Sequence, residues 1–186
     1  MNRFGLNAAV AMLIVLVTAK GLTMMASPLP SYQVTVVHDR YASYPRWGYR
    51  TTSLPRSATV IHYQRVSYRY VNGIVYRPVG RTFVVVPPPA GLLVPALPAG
   101  FVNIKIGGTP FYYHYGTYYV KPAGQLGYKV VPPPVGARVD SLPQGYGKVS
   151  LDGKTYYVLD GVYYQARVNE KGEVAYEVVG SHINSR

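Results

Sequence analysis

With 186 residues, a formal net charge of +12 and no cysteine, the chain has room for one ordinary domain or two very small ones, which excludes large catalytic architectures. The absence of cysteine excludes a disulfide framework, a lipid-modified N-terminal cysteine and a cysteine nucleophile. Twenty tyrosines against one tryptophan and four phenylalanines make tyrosine the unusual feature of the composition.

The chain begins Met1-Asn2-Arg3, followed by an apolar run from Ala8 to Ala19 that stops at Lys20. A basic start followed by a short apolar segment is the pattern of a secretory signal, and the run falls short of the roughly 20 apolar residues that span a bilayer. A signal helix over residues 1–26 is expected, with cleavage after Val17-Thr18-Ala19 or after Met24-Met25-Ala26. Left uncleaved, the same segment would anchor the chain to the inner membrane. Export to the periplasm or outer envelope follows, with no integral span after cleavage.

Residues 27–69 mix Arg, Tyr, Ser and Pro without a clear period and read as a flexible basic arm, although Ala58–Tyr70 is apolar enough to pair as an edge strand. Between Asp39 and Arg81 eight arginines face one acid, a net of +7. Arg40, Arg46, Arg50, Arg56, Arg65 and Arg69 are therefore candidates for contact with an anionic envelope surface, lipid or polymer. A soluble linker is the plainer reading of the same stretch, and nucleic acid fits the compartment poorly.

From residue 70 onward the chain repeats itself. At an offset of 45 residues Phe83–Tyr119 aligns with Tyr128–Tyr164 without a gap, matching 15 of 37 positions. Val85-Val86-Pro87-Pro88-Pro89 falls on Val130-Val131-Pro132-Pro133-Pro134, Leu97-Pro98 on Leu142-Pro143, and Tyr118-Tyr119 on Tyr163-Tyr164. Because glycines and prolines recur with the aromatics, a backbone path is repeated and not only a composition. Tyr70–Tyr76 resembles the end of the unit and Tyr176–Gly180 its beginning, a partial third copy. These limits give a first β module over 70–127, a second over 128–180, and a tail over 181–186.

Asn72-Gly73, Tyr115-Gly116 and Asp160-Gly161 sit at equivalent places between β-prone segments and predict tight hairpin tips. Two-residue alternation, with Val162, Tyr164, Ala166 and Val168 on one face and Tyr163, Gln165 and Arg167 on the other, predicts a four-stranded antiparallel meander from about 146 to 179. The triple prolines cannot donate ladder hydrogen bonds and are expected as connectors or edges. The fold class is all-β: antiparallel meanders closing as a small sandwich or as SH3-like barrels.

Catalytic constellations are poorly supported. The four histidines are scattered with no metal-ligand spacing, Asp152 and Asp160 are explained by turns, and no nucleophile elbow is present. No enzyme activity, cofactor or metal is expected. Tyr163, its equivalent Tyr118, and Tyr156 lie away from the presumed core face and are candidates for stacking on sugar rings of an envelope polysaccharide. Cross-strand pairing within the sheet is the competing explanation for the same tyrosines, and another module covering that face would turn them into core.

The segments FVVVPPPAGLLVPALPAG, GTPFYYHYGTYY, GYKVVPPPVGARVDSLPQGY and DGKTYYVLDGVYY resemble a bacterial exported family known as domain of unknown function 6515. The resemblance covers roughly Tyr70–Gly180 and leaves Ser27–Arg69 outside. It implies an envelope-associated or secreted protein, with no activity, cofactor or catalytic residue to carry over. A weaker similarity links the Gly and Tyr-Tyr hairpins to aromatic cell-wall-binding repeats, which are shorter and rich in tryptophan. The expectation is a non-catalytic envelope protein with a structural or binding β module; the alternatives are adhesion to anionic surfaces through the arm and cell-wall polysaccharide binding through the aromatic hairpins.

Overall fold

The computed structural model describes residues 40–168 and 172–181, together with the backbone of β1 (Ile14–Thr18) and β2 (Gly21–Met25). The chain divides into two compact units. In the unit formed by Met1–Val36 and Val168–Val174, β1 and β2 pair antiparallel, Ile14 opposite Met25 and Thr18 opposite Gly21. The expected signal helix is thus corrected where the segment is described. Ile14, Val15, Val17 and Thr18 are β-branched and favour extended backbone. Both candidate cleavage junctions lie outside the described residues, as do residues 182–186 of the tail.

The unit formed by Val37–Arg167 and Ala175–Arg186 holds three five-stranded antiparallel sheets. The first contains β3 (Arg50–Thr51), β4 (Thr59–Tyr63), β5 (Val66–Val71), β6 (Ile74–Val79) and β7 (Thr82–Val85), in the order β3-β7-β6-β5-β4. The second contains β8 (Leu93–Val94), β9 (Val102–Ile106), β10 (Thr109–His114), β11 (Thr117–Val120) and β12 (Tyr128–Val131), in the order β8-β12-β11-β10-β9. The third repeats the arrangement with β13 (Arg138–Val139), β14 (Gly147–Leu151), β15 (Lys154–Leu159), β16 (Val162–Val168) and β17 (Val174–Ser181). Each sheet is a four-stranded meander whose last strand also pairs with a short strand from the start of the unit. The meander expected over 146–179 is present as β14–β17, with β13 added at its edge. Among the described residues there is no helix.

The repeat is therefore threefold, and its first copy runs through the expected arm. In all three units a glycine N–H (Gly48, Gly91, Gly136) donates to the carbonyl of a valine on the last strand (Val85, Val130, Val178), at 2.8–2.9 Å. That valine's own N–H donates back to Tyr49, Leu92 or Ala137. The second strands start at Thr59, Val102 and Gly147, 43 and then 45 residues apart. On this register Leu54-Pro55 corresponds to Leu97-Pro98 and Leu142-Pro143, so the second half of residues 27–69 is sheet. The three predicted tips turn as expected, with φ of +47° and +84° at Asn72-Gly73, +49° and +78° at Tyr115-Gly116, and +48° and +74° at Asp160-Gly161.

Alternation gives every sheet two faces, and the three units stack by one rule. The forward face of the first sheet, with Tyr68, Tyr70 and Val75, shares a buried cluster with Leu92, Val94, Tyr119 and Val130 on the back face of the second unit. The forward face of the second sheet, with Tyr113 and Tyr118, joins Val139, Leu159, Val162, Tyr164 and Val178 on the back face of the third. Hydrogen bonds repeat with the packing: the Tyr70 hydroxyl donates to the Ala96 carbonyl at 2.6 Å, and the Tyr113 hydroxyl to the Ser141 carbonyl at 2.8 Å. The tips repeat as well. A Cβ on Gly73 would stand 2.4 Å from the His114 ring, and one on Gly116 would stand 3.0 Å from Leu159, which occupies the place of His114 one unit later. Only glycine satisfies both the positive φ and this approach.

Candidate binding surfaces

The forward face of the third sheet carries Val149, Leu151, Tyr156, Val158 and Tyr163. Of its counterparts in the first two sheets, Tyr68, Tyr70, Val75, Tyr113 and Tyr118 are core, because the next unit covers them. Here Val149 is 39% and Leu151 56% exposed, and Tyr156, Val158 and Tyr163 are half-buried. Tyr156 and Tyr163 lie diagonally on adjacent strands, with Tyr163 directly opposite Val158. At one margin Glu177 accepts from Arg138 at 2.9 Å and from Arg167 at 3.3 Å, which fixes a small charged rim.

Tyr118 corrects the sequence reading. It was expected at the surface with Tyr163, yet it is 1% exposed, with its ring 5.0 Å from that of Tyr113. The third unit covers it, and burial pushes its hydroxyl well above the ordinary tyrosine range. The place of Tyr70 and Tyr113 is taken in the third unit by Val158, which has no hydroxyl to hand to a following unit.

The segment before β3 is bound into the structure. Tyr41 is 1% exposed and meets Tyr113, His114 and Tyr115 edge to face; burial raises its hydroxyl to about 12. Tyr115 donates from its hydroxyl to the Pro45 carbonyl, and Gln144 donates to Ala42 at 3.3 Å. His114 is 2% exposed, 3.5 Å from the Tyr44 hydroxyl, and burial lowers its pKa to about 4, keeping the ring neutral.

The six arginines singled out from sequence are not gathered into one surface. Arg40 pairs with Asp140 and donates to the Gly100 carbonyl at 2.8 Å. Arg69 donates to the Ser67 carbonyl at 2.9 Å, with its guanidinium 5.8 Å from the centre of the Phe83 ring. Arg46, Arg50, Arg56 and Arg65 are exposed, but Arg50 lies on edge strand β3 and Arg65 on the turn after the opposite edge strand, β4.

A cleft of about 280 Å³ opens where the second and third units meet. Its walls are Trp47, the proline connectors Pro87–Pro89 and Pro132-Pro133, and the hairpin tips around Gly116 and Asp160, with Tyr118 behind. Trp47 leans on Gly116, where an added Cβ would stand 2.7 Å from its ring. Sequence reasoning placed the prolines correctly as connectors and missed Trp47. The available signal was its being the chain's one tryptophan, in the Trp47-Gly48 pair that matches Ala90-Gly91 and Val135-Gly136.

Among the described residues no group of three His, Asp or Glu side chains is placed to hold a metal ion, and no helix is long and apolar enough to cross a membrane. A family model, described as a family of unknown function, DUF6515, matches residues 30–182. No curated protein and no solved structure matches the chain. The match reaches well before Tyr70, where the sequence resemblance was drawn to begin, and takes in the first, divergent copy of the repeat. By this match across all three sheets, the chain belongs to the DUF6515 family.

Proposed function

We propose that the protein is an exported, non-catalytic binding module of the cell envelope that holds a polysaccharide against the forward face of its third sheet. The observation that carries the reading is the contrast between that face and its two counterparts: Tyr70 and Val75 in the first sheet and Tyr113 and Tyr118 in the second are buried, whereas Val158 and Tyr163 at the same places are half-buried and Val149 and Leu151 beside them are exposed. On this reading the sheets pack as layers of a sandwich, and the third sheet keeps an apolar, aromatic surface bordered by Arg138, Arg167 and Glu177. A flat array of Tyr and aliphatic side chains suits the apolar faces of sugar rings, while the charged margin suits their hydroxyls. The basic, short apolar segment at the start of the chain supports export.

Retention of the purified chain on isolated cell-wall polysaccharide tests this reading. Binding at low salt that is lost in a Tyr156→Ala, Leu151→Ser variant is expected. No retention, or equal retention of the variant, would refute it. Adhesion to anionic lipid through the exposed Arg46, Arg50, Arg56 and Arg65 is the second reading, favoured by their solvent exposure. It predicts binding to anionic vesicles that weakens steeply with salt.

A further inference from the structure

The proline-walled cleft has a chemistry that the polysaccharide reading does not use. Five prolines line it, and proline has no backbone N–H, so those stretches offer carbonyl acceptors only, while the same lining holds the Trp47 indole, whose buried N–H has no hydrogen-bond partner. The carboxylate in the cleft belongs to Asp160, exposed at the rim on the tip of the third unit. Asp140 holds Arg40, Glu177 holds two arginines, and Asp152 stands on an exposed turn. Among the described residues no cation pairs with Asp160. Partial burial pushes its carboxyl above the ordinary range, the mark of a charge that lacks compensation.

We propose that this cleft binds a small ligand with a cationic amine head and an apolar body, the ammonium meeting Asp160 and the body lying against Trp47 and the prolines. The volume is near the lower end of small-molecule sites, about 300 Å³. An indole and a carboxylate lining one cleft both attract an ammonium. Neither the sugar-binding face nor the exposed arginines take part, so the two sites stand or fall separately.

Trp47 is the chain's one tryptophan, so its fluorescence reports on the cleft directly. The full chain is titrated with benzylamine, cationic at neutral pH, and with the neutral benzyl alcohol. The test variant is Asp160→Asn. Asn72 occupies the same tip position in the first unit at φ +47°, so asparagine preserves the turn. A saturable change with benzylamine is expected, about tenfold weaker in the variant and about tenfold weaker for benzyl alcohol. No saturable change in the unaltered chain would overturn the proposal. So would equal benzylamine binding by the variant, or benzyl alcohol binding as tightly as benzylamine.

Discussion

Tyr118 and Tyr163 occupy the same place in consecutive units, each opposite the last but one residue of the preceding strand, yet one is core and the other sits on an outer face. The difference comes from position in the array and not from the residue. A unit's forward face is buried when a successor's back face arrives to cover it, and the third unit has no successor among the described residues. Stacked repeats generally behave in this way, each unit contacting its neighbours and the terminal ones needing a distinct surface. Here the third unit differs at that face: Val158 stands where the other units have the tyrosine that reaches forward, and a Glu177-centred ion cluster borders it.

The comparison can be broken most forcefully by truncation. Tyr118→Ala should cost about 3–5 kcal/mol by chemical denaturation, the range for emptying a packed aromatic site. Tyr156→Ala, half-buried on the third sheet's forward face, should cost about 1 kcal/mol. Similar losses at both sites would mean that the third sheet's forward face is covered after all.

His114 sharpens the same comparison through pH. Its neutral form is held in the fold, with a pKa near 4 against an ordinary 6.5. The unfolded chain therefore binds the proton more readily between these values, so stability is full above about pH 6.5 and declines as pH falls towards 4. The loss over that window should reach about 3 kcal/mol. The third unit has Leu159 in the same place, and His114→Leu should flatten this part of the acid limb in thermal melts while keeping the tip of Asn72-Gly73 in contact. An unchanged slope would show that another group titrates.

Tyr113→Phe should cost about 1–2 kcal/mol, because it strands the buried Ser141 carbonyl. The smallest effect is a gain. Arg65 holds φ +63° where the other two units place Gly108 and Gly153, so Arg65→Gly should stabilise the first sheet by about 1 kcal/mol. A loss would indicate that the Arg65 side chain makes a contact worth more than the backbone strain.

Turn chemistry and alternation made the sheets legible in the sequence: Asn-Gly, Asp-Gly and the Gly-Tyr-Tyr pairs marked the tips, and the proline triplets marked the joints. The first unit was hidden because Tyr44-Pro45-Arg46-Trp47-Gly48 keeps the backbone path of the proline connectors while sharing only Pro45 and Gly48 with them. Gln64-Arg65 likewise takes the left-handed turn of Gly107-Gly108 without a glycine. Its arginines gave the segment the composition of an unfolded arm, although Tyr41 and Trp47 bind it to the later units. The fate of Tyr118 was not legible either. Alternation divides a strand into two faces but does not say which face a neighbouring unit will cover. The cleft escaped notice because its parts come from all three units, and Asp160 already had an adequate explanation as a turn residue.

Tyrosine accessibility tests the stacking rule most directly. Under mild nitration of the native chain followed by peptide mapping, Tyr156 should react readily, while Tyr113, Tyr118 and Tyr119 stay protected until the protein unfolds. Modification of Tyr118 at the rate of Tyr156 would contradict the account, because the second forward face would then be open to solvent.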